Sequence, residues 1–182
     1  MSKVFLFLAN GFEEIEALTP VDLLRRAGIG VETVSIGDAQ LVTGRSGITV
    51  MADRLLSDIA FEEADMLVLP GGMPGTKHLA ACRPLTDALE AFAKDPKKMI
   101  AAICAAPTVF GKLGLLNGKK ACCYPGMEEG LSGAEVSYDR VVADGNIITS
   151  RGAGTAMDFA FCIIARLTDA ATAEKIRESV VG

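Results

Sequence analysis

Tryptophan is absent from this 182-residue chain and histidine occurs once, as His78. A Cys–His hydrolase needs an imidazole within hydrogen-bond reach of its sulfur. His78 stands beside Thr76 and Lys77, surface-type neighbours that predict solvent exposure, so cysteine-protease and glutamine-hydrolysing mechanisms are disfavoured. No C-x-x-C pair joins any of the five cysteines, Cys82, Cys104, Cys122, Cys123 and Cys162, and their number is odd. Both facts argue against a disulfide framework and a structural zinc site, and for a reducing, cytosolic compartment. No stretch is rich in Lys or Arg and the net charge is −5, which makes nucleic acid and acidic membrane surfaces poor partners. The early apolar run Val4-Phe5-Leu6-Phe7-Leu8-Ala9 leads straight into Gly11-Phe12-Glu13-Glu14. It reads as a buried strand, too short for a membrane span or an export signal. Repeats, low-complexity tracts, the six-residue dinucleotide fingerprint and a phosphate-loop lysine are also missing.

What is present is an ordinary globular composition, half apolar, at a length that predicts one domain over residues 1–182. Short apolar runs alternate with amphipathic stretches. Strands are predicted at Lys3–Ala9, Val31–Ile36, Asp65–Leu69, Lys98–Ile103 and Lys120–Cys123. Helices are predicted at Glu13–Ala27, from Ser57, and at Pro84–Lys94, Ala105–Leu113, Thr155–Leu167 and Ala170–Val180. Pro20 marks either a kink in the first helix or a fresh start capped by Thr19. Leu41–Thr43 with Ile48–Met51, and Val141–Ala143 with Ile147–Ser150, read as hairpins. Strands such as Met66-Leu67-Val68-Leu69 are apolar on both faces, as expected when helices cover both sides of a mostly parallel sheet. The fold class is therefore a doubly wound, three-layer α/β/α sandwich, in which ligands bind beyond the carboxyl ends of the strands.

Three segments at such ends are unusual in composition. In Met99–Pro107 a buried strand runs into a helix with Cys104 at the junction and alanines at 101, 102, 105 and 106. Small neighbours suit a sharp turn that lifts a nucleophile out of a sheet, as glycines do in the G-x-S-x-G elbow. Free N–H groups and the positive end of the following helix would lower the thiol's pKa. The other reading open to a free cysteine is a small core hydrophobe. Leu69-Pro70-Gly71-Gly72 ends a strand with two glycines, either a plain tight turn or a pair of amides that joins Ala105 N–H in an oxyanion hole. Glu13, Glu14 and Glu16 open the first helix, where the dipole favours carboxylates. At helical spacing Glu13 and Glu16 share a face that Glu14 does not. A protonated carboxyl turned toward the cysteine could donate to a thiolate and then move protons on a substrate.

Taken in this order, Gly11–Glu16, Pro20–Ile29, Val68–Gly72, Ala101–Pro107 and Thr149–Thr155 resemble the ThiJ/PfpI superfamily, in the branch of the parkinsonism-associated protein deglycase. The resemblance runs from Lys3 to about Val181. It implies a flavodoxin-like fold, a cytoplasmic homodimer and no cofactor. It also implies a reactive Cys104 with a protonated Glu16 against it and oxyanion donors at the Gly72 and Ala105 amides. A substrate pocket at Gly71, Met73, Tyr124 and Arg26 goes with it. Tyr124 stands where many relatives carry a histidine, and Ala153 where a proline is common. Tyrosine titrates far higher than histidine, which leaves Glu16 as the proton shuttle. The implied activities are cofactor-free glyoxalase chemistry on methylglyoxal-like α-oxoaldehydes and repair of early glycation adducts. The alternative is a redox-sensing or chaperone-like stress protein with an oxidisable cysteine and little turnover.

Overall fold

A computed structural model describes residues 2–182. Its elements in chain order are β1 (Lys3–Leu8), α1 (Glu14–Arg26), β2 (Gly30–Ser35), β3 (Leu41–Thr43), β4 (Thr49–Met51), β5 (Arg54–Leu55), β6 (Met66–Leu69), α2 (Gly75–Ala81), α3 (Arg83–Lys94), β7 (Met99–Ile103), α4 (Pro107–Lys112), β8 (Lys120–Ala121), β9 (Glu135–Val136), β10 (Val141–Asp144), β11 (Ile147–Ser150), α5 (Ala156–Leu167) and α6 (Ala170–Ser179). The main sheet has seven strands in the order β10-β11-β7-β6-β1-β2-β5. All its pairings are parallel except β10 with β11. This is the mostly parallel α/β fold that the alternating pattern predicts, flavodoxin-like as the family resemblance implies.

The period of two along β1 feeds two cores. Val4, Leu6 and Leu8 face one side, packed with Leu24 of α1, Phe159 of α5 and Ile176 of α6. Phe5 and Phe7 face the other, with Leu79 of α2, Leu89 of α3 and Phe110 of α4. Each face is dry, so both faces of the central strands had to be apolar in the sequence.

Several local expectations change. Pro20 starts no new helix, because α1 runs through it from Glu14 to Arg26. The missing N–H deprives the Glu16 carbonyl of its partner, and packing on the core tolerates that loss. Past Arg26, Gly28 adopts φ 77°, its N–H donates to the Arg25 carbonyl, and Ile29 N–H donates to the Leu24 carbonyl. Those two bonds close the helix as a Schellman motif. The helix expected from Ser57 is instead two 3₁₀ turns, Leu56–Asp58 and Phe61–Glu63. The strand expected over Lys120–Cys123 is confined to Lys120–Ala121. The helix expected from Ala105 begins only at Pro107 and spans 6 residues.

Candidate active site

β6 and β7 lie side by side in the sheet and deliver Gly71-Gly72 and Cys104 to the same end of it. β7 stops at Ile103, and Cys104 adopts φ 66°. That left-handed conformation costs an L-residue on the order of 1–2 kcal/mol, so the surroundings must hold it. They do so through main-chain bonds: Cys104 N–H donates to the Ser150 carbonyl at 2.9 Å, and Tyr124 N–H donates to the Cys104 carbonyl at 2.8 Å. Because the chain turns left-handed at Cys104, it cannot enter a helix at once, and α4 starts three residues later. At the sulfur itself, the backbone amides of Ala105 and Gly72 favour the thiolate.

Glu16 comes from the first turn of α1 and is 1% exposed. Its Oε2 accepts the Gly71 N–H at 3.0 Å, and its carboxyl faces the Cys104 side chain closely enough to act on its acidity. Gly71 in turn accepts the Glu13 N–H on its carbonyl at 2.9 Å. A Cβ on Gly71 would stand 2.7 Å from Cys104 Cβ and 2.5 Å from Glu16 Oε2, so only glycine fits between the two side chains. The glycine at 72 has φ 91° and turns the chain away beneath the Phe12–Glu13 backbone.

Burial pushes the Glu16 carboxyl up to about 7. The Cys104 side chain and the Gly71 amide oppose the rise, Glu13 adds to it, and the Arg45 guanidinium works against it. Burial and the facing Glu16 push the Cys104 thiol up to about 12, against the Ala105 and Gly72 amides. This is the reverse of the lowered thiol expected from a helix dipole. Burial of the sulfur is the larger cause, and the facing Glu16 the next. The two groups are best treated as one diprotic pair. The first proton leaves it near 7, from the Glu16 side. A remaining proton placed on Glu16 rather than on sulfur would let the carboxyl donate to a thiolate instead of repelling it.

Around this pair the structure brings together Glu16, Cys104, Gly71, Gly72 and Ala105. Tyr124 is joined to Cys104 through its backbone, with its side chain half exposed beside Gly152. Met73 is part-exposed just after the Gly-Gly turn. Arg26 is not brought in. It lies at the far end of α1 from Glu16, about 15 Å along the axis at roughly 1.5 Å per residue, and pairs with Asp22 on the exposed surface. His78 is exposed on α2, its Nδ1 is 3.1 Å from the Asn10 carbonyl, and it lines a separate cavity of about 320 Å³ with Asp38. Two groups escaped the sequence reading. Arg45, on the β3–β4 turn, stands 3.5 Å from Glu13 Oε2, and Gly152 lies between Tyr124 and Glu16. The only sequence signal for either was Gly flanking Arg45 and the Arg151-Gly152 stretch, neither of which announces where it folds to. Among the described residues no group of His, Cys, Asp and Glu side chains could hold a metal ion, and no helix is long and apolar enough to cross a membrane.

The fold and the site define a class: a doubly wound α/β protein with a cysteine raised on a left-handed turn against a buried carboxyl. The chain matches the DJ-1/PfpI family over residues 2–166 and belongs to it. It is 38% identical to protein dj-1beta of Drosophila melanogaster, over 100% of this chain and 97% of that protein. To protein DJ-1 homolog B of Arabidopsis thaliana it is 42% identical over 91% of its length, yet it covers only 38% of that relative. For DJ-1 homolog A of the same plant the covered share is 41%. A deglycase of Pyrococcus horikoshii is 32% identical over 82% of this chain and 89% of that one. The solved structure of oxidized Toxoplasma gondii DJ-1 superposes with a TM-score of 0.95 at 36% identity, covering 100% of this chain and 98% of that one.

Proposed function

We propose that this protein is a cofactor-independent, cysteine-dependent enzyme acting on methylglyoxal-like α-oxoaldehydes or on their early protein adducts. The observation that carries the reading is the buried Glu16 carboxyl facing the Cys104 side chain, both against Gly71. Such a pair supplies an acid and a base in turn from one proton. With the proton on Glu16, the Cys104 thiolate adds to the aldehyde carbon and Glu16 protonates the new oxygen, giving a hemithioacetal. Glu16, now a carboxylate, removes the hydrogen of that carbon as a proton, leaving an enediolate, and returns it to the neighbouring carbon while the hydroxyl proton of the first carbon passes to the neighbouring oxygen. The product is a thioester of a 2-hydroxy acid, which water hydrolyses to the free acid and Cys104. The amides of Gly72 and Ala105, which act on the sulfur, are the donors assigned in this reading to an oxyanion beside it. The 32% identical archaeal relative named a deglycase lends support for activity within the family.

The test is lactate formation from methylglyoxal by the wild type, Cys104→Ala and Glu16→Gln. The reading requires turnover that both substitutions abolish; equal rates in all three remove it.

A second reading, oxidation of Cys104 as a stress signal, draws on the same thiolate and on the Toxoplasma relative, whose structure is of an oxidized form. Intact-mass analysis after mild peroxide separates the two. Selective oxidation at Cys104 with no turnover supports the sensor. A cytoplasmic homodimer also belongs to the proposal. Ile15 on α1 and Met157 on α5 are exposed and line one open cleft of about 350 Å³ with Phe161, a face that a second copy would cover. Sedimentation equilibrium tests it.

A further inference from the structure

Glu14 opens α1 two residues before Glu16, and it points elsewhere. It is 5% exposed, as deeply placed as many core residues, yet it takes no part in the chemistry proposed above. Its Oε1 accepts the N–H of Ser46 at 2.9 Å and that of Ile48 at 3.4 Å. Its Oε2 is buried with no hydrogen-bond partner among the described residues. Burial pushes this carboxyl up, but the N–H groups of Glu14 itself, Ser46 and Ile48, with the Ser46 side chain, outweigh it and hold the group below its ordinary value. It is therefore an anion at neutral pH, buried against a turn made of backbone.

That turn is the tip of the β3–β4 hairpin. The hairpin is sewn to the loop between β1 and α1 along its whole inner edge. Gly11 N–H donates to the Thr43 carbonyl at 2.8 Å, Arg45 N–H to the Phe12 carbonyl at 2.8 Å, and Thr43 N–H to Asn10 Oδ1 at 2.9 Å. The backbone of Gly44 lies so close to the Glu14 carboxyl that a Cβ there would overlap it. The hairpin carries Arg45, whose guanidinium reaches Glu13 at 3.5 Å, and Glu13 is the carboxylate next to the Cys104–Glu16 pair. Arg45 is more than half exposed, so the pair with Glu13 has little intrinsic strength and needs its backbone held in place.

We propose that Glu14 is a positioning residue for the site: its buried carboxylate clamps the Leu41–Met51 hairpin onto the first turn of α1 and so keeps Arg45 against Glu13, beside Glu16. The inference rests on the reading of Cys104 and Glu16 as the reactive pair. The charged and titratable groups that face Glu16 are Cys104 from the β7 turn, Glu13 from α1 and Arg45 from the hairpin, with Tyr124 at the edge. Arg45 is the only cation among them. Without it, Glu13 acts on Glu16 unopposed, and proton loss from the pair moves to higher pH. Glu14 thus acts on the chemistry at second hand, through an arginine more than thirty residues away in the chain.

The experiment is the pH dependence of Cys104 alkylation by iodoacetamide in the full chain, with Cys104→Ala subtracting the other thiols. Glu14→Ala and Arg45→Met are each expected to raise the midpoint of the wave near pH 7 by about half a unit or more, a several-fold loss of rate at pH 6.5. Their combination is expected to shift it no further, because the second removes what the first displaces. Glu14→Gln, which keeps an acceptor oxygen for Ser46 and Ile48, is expected to restore most of the wild-type midpoint. Gly44→Ala keeps Glu14 and pushes the hairpin off it, and is expected to reproduce the Glu14→Ala shift if that variant does not fold. A wild-type midpoint in Glu14→Ala or in Gly44→Ala, alongside a lowered melting temperature, assigns Glu14 a purely structural role and overturns the proposal. An unmoved midpoint in Arg45→Met overturns it too. If the wild type itself has no wave near pH 7, the reading of the pair fails first and the clamp falls with it.

Discussion

The carboxyl of Glu16 and the thiol of Cys104 face each other across the end of the sheet, and Gly71 lies so close to both that a Cβ there would stand 2.5 Å from Glu16 Oε2 and 2.7 Å from Cys104 Cβ. One side chain comes from the start of α1 and the other from the end of β7, and nothing but a glycine could sit between. From that relation follow the acidity of the pair, the intolerance of position 71 and the cost of keeping an acid indoors.

Stability should fall with pH because of Glu16 alone. Its folded pKa is raised from 4.5 to about 7. Below about pH 4.5 the group is protonated whether folded or unfolded, and it carries no penalty. Between 4.5 and 7 the unfolded chain releases the proton and the folded one retains it, so stability drops by about 3 kcal/mol as pH rises and then levels off. Urea unfolding of the wild type and of Glu16→Gln at pH 4.5 and pH 8 should show the wild type losing that much more than the variant. Parallel behaviour would mean that Glu16 is not held as an acid.

Position 104 should prefer glycine to alanine. At φ 66° an L-side chain is strained, and glycine is not. Cys104→Gly is expected to be more stable than Cys104→Ala by about 1 kcal/mol in urea unfolding. The opposite order would place residue 104 in ordinary backbone.

Gly71→Ala should disable the site without destroying the fold. Its Cβ must displace Cys104, Glu16 or both, and a misplacement on the scale of 1 Å costs on the order of 100-fold in rate. Gly154→Ala is the control, because a Cβ there meets nothing within 4 Å. Alkylation rate at pH 7.5 reads both variants.

Arg26→Ala should leave alkylation and turnover unchanged. Its partner is Asp22 on the same exposed helix face, a pair worth about 0.3–0.5 kcal/mol at most. A loss of activity would mean that a second copy of the chain brings Arg26 to a site this protomer does not.

The layers of the fold were legible because burial on both faces leaves strands such as Met66–Leu69 with no polar alternation, and Gly28 marks the end of the first helix. Cys104 was legible from the alanines that crowd it, but its left-handed φ was not. Cysteine has no propensity for that region, and the conformation is imposed by Ser150 and Tyr124, which arrive from distant strands and loops. For the same reason the sequence pattern alone starts the helix at Ala105 and points its dipole at the thiol. Helical spacing separated Glu14 from Glu13 and Glu16, which is correct as far as faces go. It could not reveal that the hairpin would fold over the Glu14 face and bury it. Arg45 was invisible as a site residue because its position depends wholly on that docking. Arg26 was assigned to the pocket through resemblance, and the length of α1 takes it away.

The most direct measurement is the rate of Cys104 modification by iodoacetamide from pH 5 to pH 10, in the wild type and in Glu16→Gln. The account predicts a rise centred near pH 7 in the wild type, set by the first proton lost from the Glu16–Cys104 pair, and its disappearance in Glu16→Gln, where the buried thiol must titrate alone and high. Identical profiles in the two proteins, each with one rise at the pH of a solitary thiol, would contradict it.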